Sequence, residues 1–240
     1  HFARPHWRAR FAFQSYPNRG LMSHIVLVRH GQANTGAKDE GDYDKLSPLG
    51  HQQAGWLGDH FRHKGDIFAH VWTGTLRRHV ETADGIAAET PGPITRDDRL
   101  NELEYFTMSQ LLAEQHGITL PDNREGFVRH LPALFGHWQD GKLEGAPESF
   151  DHFETRVRDV LAEISSLPGR SLVVTSGGLI GMAMRLTLGL EMPAFCNVCL
   201  SIQNTSVSSW LPLEGNLALT QFNALPHLDT PDRLFAQTHI

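Results

Sequence analysis

A chain of 240 residues, 40% of them hydrophobic and 20% charged, can bury one substantial core, which excludes a low-complexity or disordered polypeptide. Its formal net charge of −6 gives no basic face for a phosphodiester backbone, so nucleic acid is not expected as a partner. The two cysteines, Cys196 and Cys199, exclude a disulfide framework and point to a reducing, cytoplasmic setting, and without a second ligand cluster their spacing reads as packing rather than as a metal or redox pair.

Residues 1–22 are assigned to an N-terminal tail outside the core. Arg4, Arg8, Arg10 and Arg19 fall there and no acidic residue precedes Asp39, a composition that loosely resembles a targeting peptide, yet Met22 sits just ahead of the first convincing strand. Residues 23–240 are read as one domain. Ile25 to Val28 is a continuous, β-branched apolar run that suits a strand buried on both faces, and it stops at Arg29-His30-Gly31. Ser47-Pro48 then offers a capping hydroxyl and a first-turn proline ahead of Leu49, Trp56, Leu57 and Phe61 at helical spacing. Ile67 to Trp72 reads as a second strand, Leu76 to Glu89 as a helix, and Ile94 to Leu100 as an edge strand leading to Asn101-Glu102.

From about residue 105 to 147 the periodicity weakens among prolines and glycines, and an irregular helical cap insertion is expected. Ser149 caps an amphipathic helix whose apolar face is Phe150, Phe153, Val157, Val160, Leu161 and Ile164, ended by Pro168-Gly169. Leu172 to Leu190 is too interrupted by Thr175, Ser176, glycines and Arg185 to cross a membrane, and divides into a buried strand, a turn at Ser176-Gly177-Gly178 and a helix. Thr205 to Leu211 and Leu217 to Phe222 read as strands joined around Glu214-Gly215-Asn216. Alternating strands and helices predict a three-layer α/β/α sandwich with a mostly parallel central sheet. Functional groups of such a sheet collect on loops at the carboxyl ends of its strands, which here carry Arg29 and His30, Arg78, Glu102 and Ser176.

At those positions the chain resembles the histidine phosphatase superfamily, the phosphoglycerate-mutase-like fold. Leu27-Val28-Arg29-His30-Gly31 is similar to its signature, Leu46-Ser47-Pro48-Leu49-Gly50 to its helix entry, and Leu76 to Ala83 to the segment bringing a second arginine, which alignment on Thr82-Ala83 makes Arg78. Arg99 to Glu102 resembles the stretch holding the acid, Glu148-Ser149 with Arg156 a later helix, and Asn223 to Leu228 the closing motif. The resemblance implies a phosphomonoesterase acting on a small phosphate ester through a phosphohistidine on His30. Arg29 and Arg78 would grip phosphate oxygens with planar donor forks, and Glu102 would protonate the leaving oxygen and then activate water. Glu104, on the same face of an extended chain, is the alternative acid. Ser176, Gly177 and Asn34 complete the expected phosphate-binding set, and no metal or organic cofactor is expected because the arginines neutralise the charge. A homodimer stays open.

Most of the superfamily carries His-Gly after the fourth strand where this chain reads Ser176-Gly177. Arg29-His30-Gly31-Gln32-Ala33 together with Ser176-Gly177-Gly178 resembles one subgroup of it. A serine hydroxyl can hold a phosphate oxygen but adds no charge, so Ser176→His is expected to leave activity intact or raise it. Two further readings follow from the same residues: an isomerase of the phosphoglycerate mutase type, and a weakly active or non-catalytic phosphate-binding homologue.

Overall fold

The fold grows from the apolar run at the start of the domain. In the computed structural model, which describes residues 23–37 and 39–239, that run is β1 (His24–Arg29), and the assigned tail 1–22 lies outside the described residues. β1 needs apolar side chains on both faces because it lies inside the sheet. Parallel β4 (Arg170–Thr175) is on one side, and antiparallel β5 (Val207–Leu213) is on the other. β2 (His70–Thr73) pairs parallel with β4 and with the edge strand β3 (Ile94–Arg96), while β6 (Asn216–Ala224) closes the far edge antiparallel to β5. The order is β3-β2-β4-β1-β5-β6.

Alternation along β1 and β4 sends side chains to two different cores. Val26, Val28, Leu172 and Val174 meet Ala54, Leu57, Phe61, Ala83 and Ile86 of α2 (Pro48–Lys64) and α3 (Arg77–Ile86). Ile25, Leu27 and Val173 face the opposite layer, built from α4 (Tyr105–His116), α5 (Arg124–Gln139), α6 (Phe150–Ser166), α7 (Gly177–Leu188) and α8 (Met192–Ser201). A short α1 (Glu40–Tyr43) lies in the loop after β1. This is the three-layer sandwich that the alternation of elements predicts.

Local signals set several boundaries. Ser47 Oγ accepts from Gly50 N at the start of α2, and Ser149 Oγ accepts from His152 N at the start of α6. The buried face of α6 is Phe150, Phe153, Val157, Val160, Leu161 and Ile164, as the spacing predicts. Other expectations need correction. The second strand begins at His70 rather than Ile67, which is 56% exposed. The helix after it stops at Ile86, because Ala87 turns left-handed at φ 45°. The segment 105–147 is helical as expected but more regular than expected: α4 and α5 are regular helices, and Met108, Leu112, Leu131, Leu134, Phe135 and Trp138 join the same core as α6. α8, which the sequence reading did not anticipate, buries both cysteines beside Phe195.

Candidate active site

The end of β1 is held rigidly. His30 N donates to Thr175 O of β4 (2.8 Å) and Thr205 N, in the segment leading into β5, donates to Arg29 O (3.0 Å), so the chain is pinned on both sides as it leaves the sheet. Gly31 then passes against Gly50 at the start of α2. A Cβ at Gly31 would lie 2.5 Å from Gly50 O, and one at Gly50 would lie 2.2 Å from Gln32 O, so this backbone contact requires glycine on both sides. The His30 ring is buried, with Nδ1 2.7 Å from Gly31 O. A carbonyl can only accept, which puts the ring proton on Nδ1 and leaves the Nε2 lone pair free. Burial pushes the imidazole well below its usual pKa, and the charges of Arg78 and Arg29 push the same way, so the ring is neutral at ordinary pH.

Both arginines are buried beside it. Arg29 donates one Nη1 bond to Ile202 O, and Arg78 is held by Asp44, whose Oδ1 accepts from the Arg78 backbone N (3.1 Å) and from Nη1 (3.0 Å). Asp44 Oδ2 also accepts from Arg77 N, so one carboxylate serves the start of α3, where Leu76 offers no capping side chain, and aims the guanidinium. Tyr43 lies beneath Arg78, 5.0 Å from ring centroid to guanidinium carbon. The Nε atoms of Arg29 and Arg78 are both buried without a hydrogen-bond partner among the described residues. Asp44 offsets the charge of Arg78, and a buried cation with spare donors is costly unless further acceptors join it.

Glu102 approaches from the chain after β3, where a short 3₁₀ turn over Asp98–Leu100 redirects it. Its Oε2 accepts from Gly178 N at the start of α7 (2.8 Å), and its Oε1 would lie 2.3 Å from a Cβ at position 178. Glu104 is exposed and accepts from Thr107 Oγ1 (3.0 Å). Glu102 lines the cavity that also receives Arg29, His30, Arg78 and Gly177, whereas Glu104 does not; the cavity measures about 480 Å³.

Two members of the expected set lie elsewhere. Asn34 is occupied in shaping its own loop, with Nδ2 donating to Asp42 O (3.2 Å), and its neighbour Thr35 lines the cavity instead. Ser176 is fully buried behind the wall, its Oγ 2.5 Å from His79 Nε2. His79 is itself fully buried, its ring centroid 5.6 Å from that of His30. Desolvation, aided by Arg78, holds His79 well below its usual pKa. Asp44, Tyr43, Glu40 and His79 escaped the sequence reading, and only His79, directly after Arg78, stands next to a recognised motif position. Glu40 lines the cavity, its Oε1 accepts from Phe106 N (2.7 Å), and burial raises its carboxyl pKa. No cluster of three or more metal-ligating side chains occurs among the described residues, and none of the helices searched there is long and apolar enough to cross a membrane.

The family model of the histidine phosphatase superfamily (branch 1) matches residues 25–224. The chain belongs to this superfamily. A protein named "Probable phosphoglycerate mutase GpmB" from Salmonella typhi is 31% identical to it over 222 residues, covering 88% of this chain and 97% of that one. Among solved structures, a phosphoserine phosphatase from Entamoeba histolytica superposes with a TM-score of 0.63 at 18% identity, covering 86% of this chain and 100% of that chain. A phosphoglycerate mutase from Bacillus anthracis gives 0.62 at 20% identity, covering 87% and 96%. At such identities these structures share the fold; one is named a phosphatase and the other a mutase.

Proposed function

We propose that this histidine phosphatase hydrolyses small phosphate monoesters through a phosphohistidine on His30. The reading rests on one observation above all: a neutral imidazole whose proton is committed to Gly31 O, beside two buried guanidinium groups with unused donors. In the first step Nε2 attacks phosphorus, the ester P–O bond breaks, and the departing oxygen takes a proton from Glu102. Water then attacks the phosphorus, giving its proton to Glu102, and the P–N bond breaks to return the free ring and inorganic phosphate. Arg29 and Arg78 take the charge on the equatorial oxygens in both steps. We also place the chain in the subgroup carrying Arg-His-Gly-Gln-Ala and Ser-Gly-Gly, and in a reducing, cytoplasmic setting.

The test is phosphate release from a panel of monoesters, with labelled enzyme trapped by quenching in alkaline detergent, in which a phosphohistidine survives. The expected result is turnover and a trapped, acid-labile label, both abolished in His30→Ala. Label-free protein that releases no phosphate sinks the reading. The kinship with a protein named as a mutase favours a second one, which interconversion of phosphoglycerate isomers faster than phosphate release would establish.

A further inference from the structure

We propose that the ester taken by this site carries an apolar alkyl or aromatic group in place of a second anionic one, an inference that rests on the phosphatase reading and gives it a substrate class. The cavity is lined by two kinds of side chain. His30, Arg29 and Arg78 line it together with Gly177, and among the described residues these two arginines are the cations that line it. The helices α4 and α5 add apolar wall, with Tyr105 and Phe106 from the first and Phe127, Leu131 and Phe135 from the second.

The aromatic part of this wall is fixed in place by its own contacts. Tyr105 and Phe127 lie with ring centroids 5.2 Å apart, and Phe106 lies 5.8 Å from Tyr43. The Tyr105 hydroxyl is committed to His130 Nδ1 (2.7 Å), so the ring rather than the polar tip is what remains for a ligand. The acids on the wall besides Glu102 are Glu40 and Asp122. A carboxylate on the leaving alcohol would lose its hydration against rings and methyl groups and face like charge, whereas an apolar group would gain by leaving water.

A ladder of n-alkyl phosphates from methyl to hexyl, with 2-phenylethyl phosphate, tests this on the full chain. All are esters of primary alcohols, so leaving-group acidity is nearly constant and the wall is what changes. We expect kcat/KM to rise on the order of threefold per methylene, and 2-phenylethyl phosphate to exceed O-phosphoserine and 3-phosphoglycerate on the order of tenfold or more. Phe127→Ala should lower the ratio of 2-phenylethyl to methyl phosphate on the order of tenfold, and the ladder on the unaltered protein decides the matter if that variant does not fold. A flat ladder, or preference for the two carboxylated esters, overturns the substrate class while leaving the phosphatase reading in place, provided His30→Ala abolishes the turnover. Absence of turnover on every ester, with no trapped phosphohistidine, overturns both.

Discussion

Replacing Ser176 by histidine is the substitution on which the sequence and the structure give opposite answers. From the sequence it restores a charge-capable ring beside the phosphate and should be harmless or helpful. In the structure Ser176 is fully buried and its Oγ lies 2.5 Å from His79 Nε2, so the added ring must enter the volume that His79 fills. Overpacking a close-packed site costs about 1–3 kcal/mol, and leaving a buried ring nitrogen unpaired adds about 1–3 kcal/mol. For a domain of this size the sum lowers the melting temperature by about 5–20 °C. His79 in turn touches the environment of His30, 5.6 Å away between centroids, so its displacement disturbs the nucleophile. Thermal unfolding followed by fluorescence, with steady-state phosphate release on the same samples, gives both readouts. Exchanging the two residues, Ser176→His with His79→Ser, should recover much of the lost stability, because a hydroxyl and an imidazole again share the space. A single Ser176→His protein that melts as the parent does, with undiminished turnover, would refute the packing argument.

Glu102→Gln should slow turnover on alkyl phosphates on the order of a hundredfold or more while sparing aryl phosphates such as p-nitrophenyl phosphate, whose leaving group needs little protonation; Glu104→Gln should differ little from the parent, and steady-state rates on the two ester classes will show it. Gly178→Ala should mimic the loss of Glu102 in a folded protein, since the new Cβ would fall 2.3 Å from Glu102 Oε1, and a fully active variant with an unchanged circular dichroism spectrum would contradict that geometry. His30, His79 and His227 are all held below the usual histidine value of 6.5 by burial, His227 to about 3. Their unfolded forms therefore bind protons first as pH falls through 6.5. Stability is fully present above that value and declines below it, by about 2 kcal/mol at pH 5 for His227, whose folded value is about 3. Urea titrations at pH 7.5 and 5 that give equal unfolding free energies would exclude this linkage. The acid limb of kcat/KM due to His30 should lie below 6.5 for the same reason, as a pH–rate profile can test.

What the sequence made legible was local in origin. The nucleophile strand could be found because burial on both faces demands a run such as Ile25 to Val28, and α6 because its six buried residues recur at helical spacing. Arg29, His30, Arg78 and Glu102 were located from loops at the strand ends together with family motifs, and the structure brings all four to one cavity. Which of Glu102 and Glu104 lines the cavity needed coordinates, because alternation in an extended chain does not say which carboxylate meets Gly178 N. Asp44 and His79 were illegible for a related reason. Their importance comes from partners 34 and 97 residues away in sequence, and no periodicity encodes such pairs. α4 and α5 were misjudged as irregular because the break at 117–123 and Pro132 obscured two ordinary helices.

Leu131 and Phe135 belong at once to the wall of the cavity and to the principal core, where each is at most 5% exposed. Selectivity and folding therefore draw on the same atoms. A mutation that widens this pocket for a bulkier ester also removes packing from the interior, so a lineage adapting to a new metabolite would have to acquire stabilising changes elsewhere, before or alongside the change in preference.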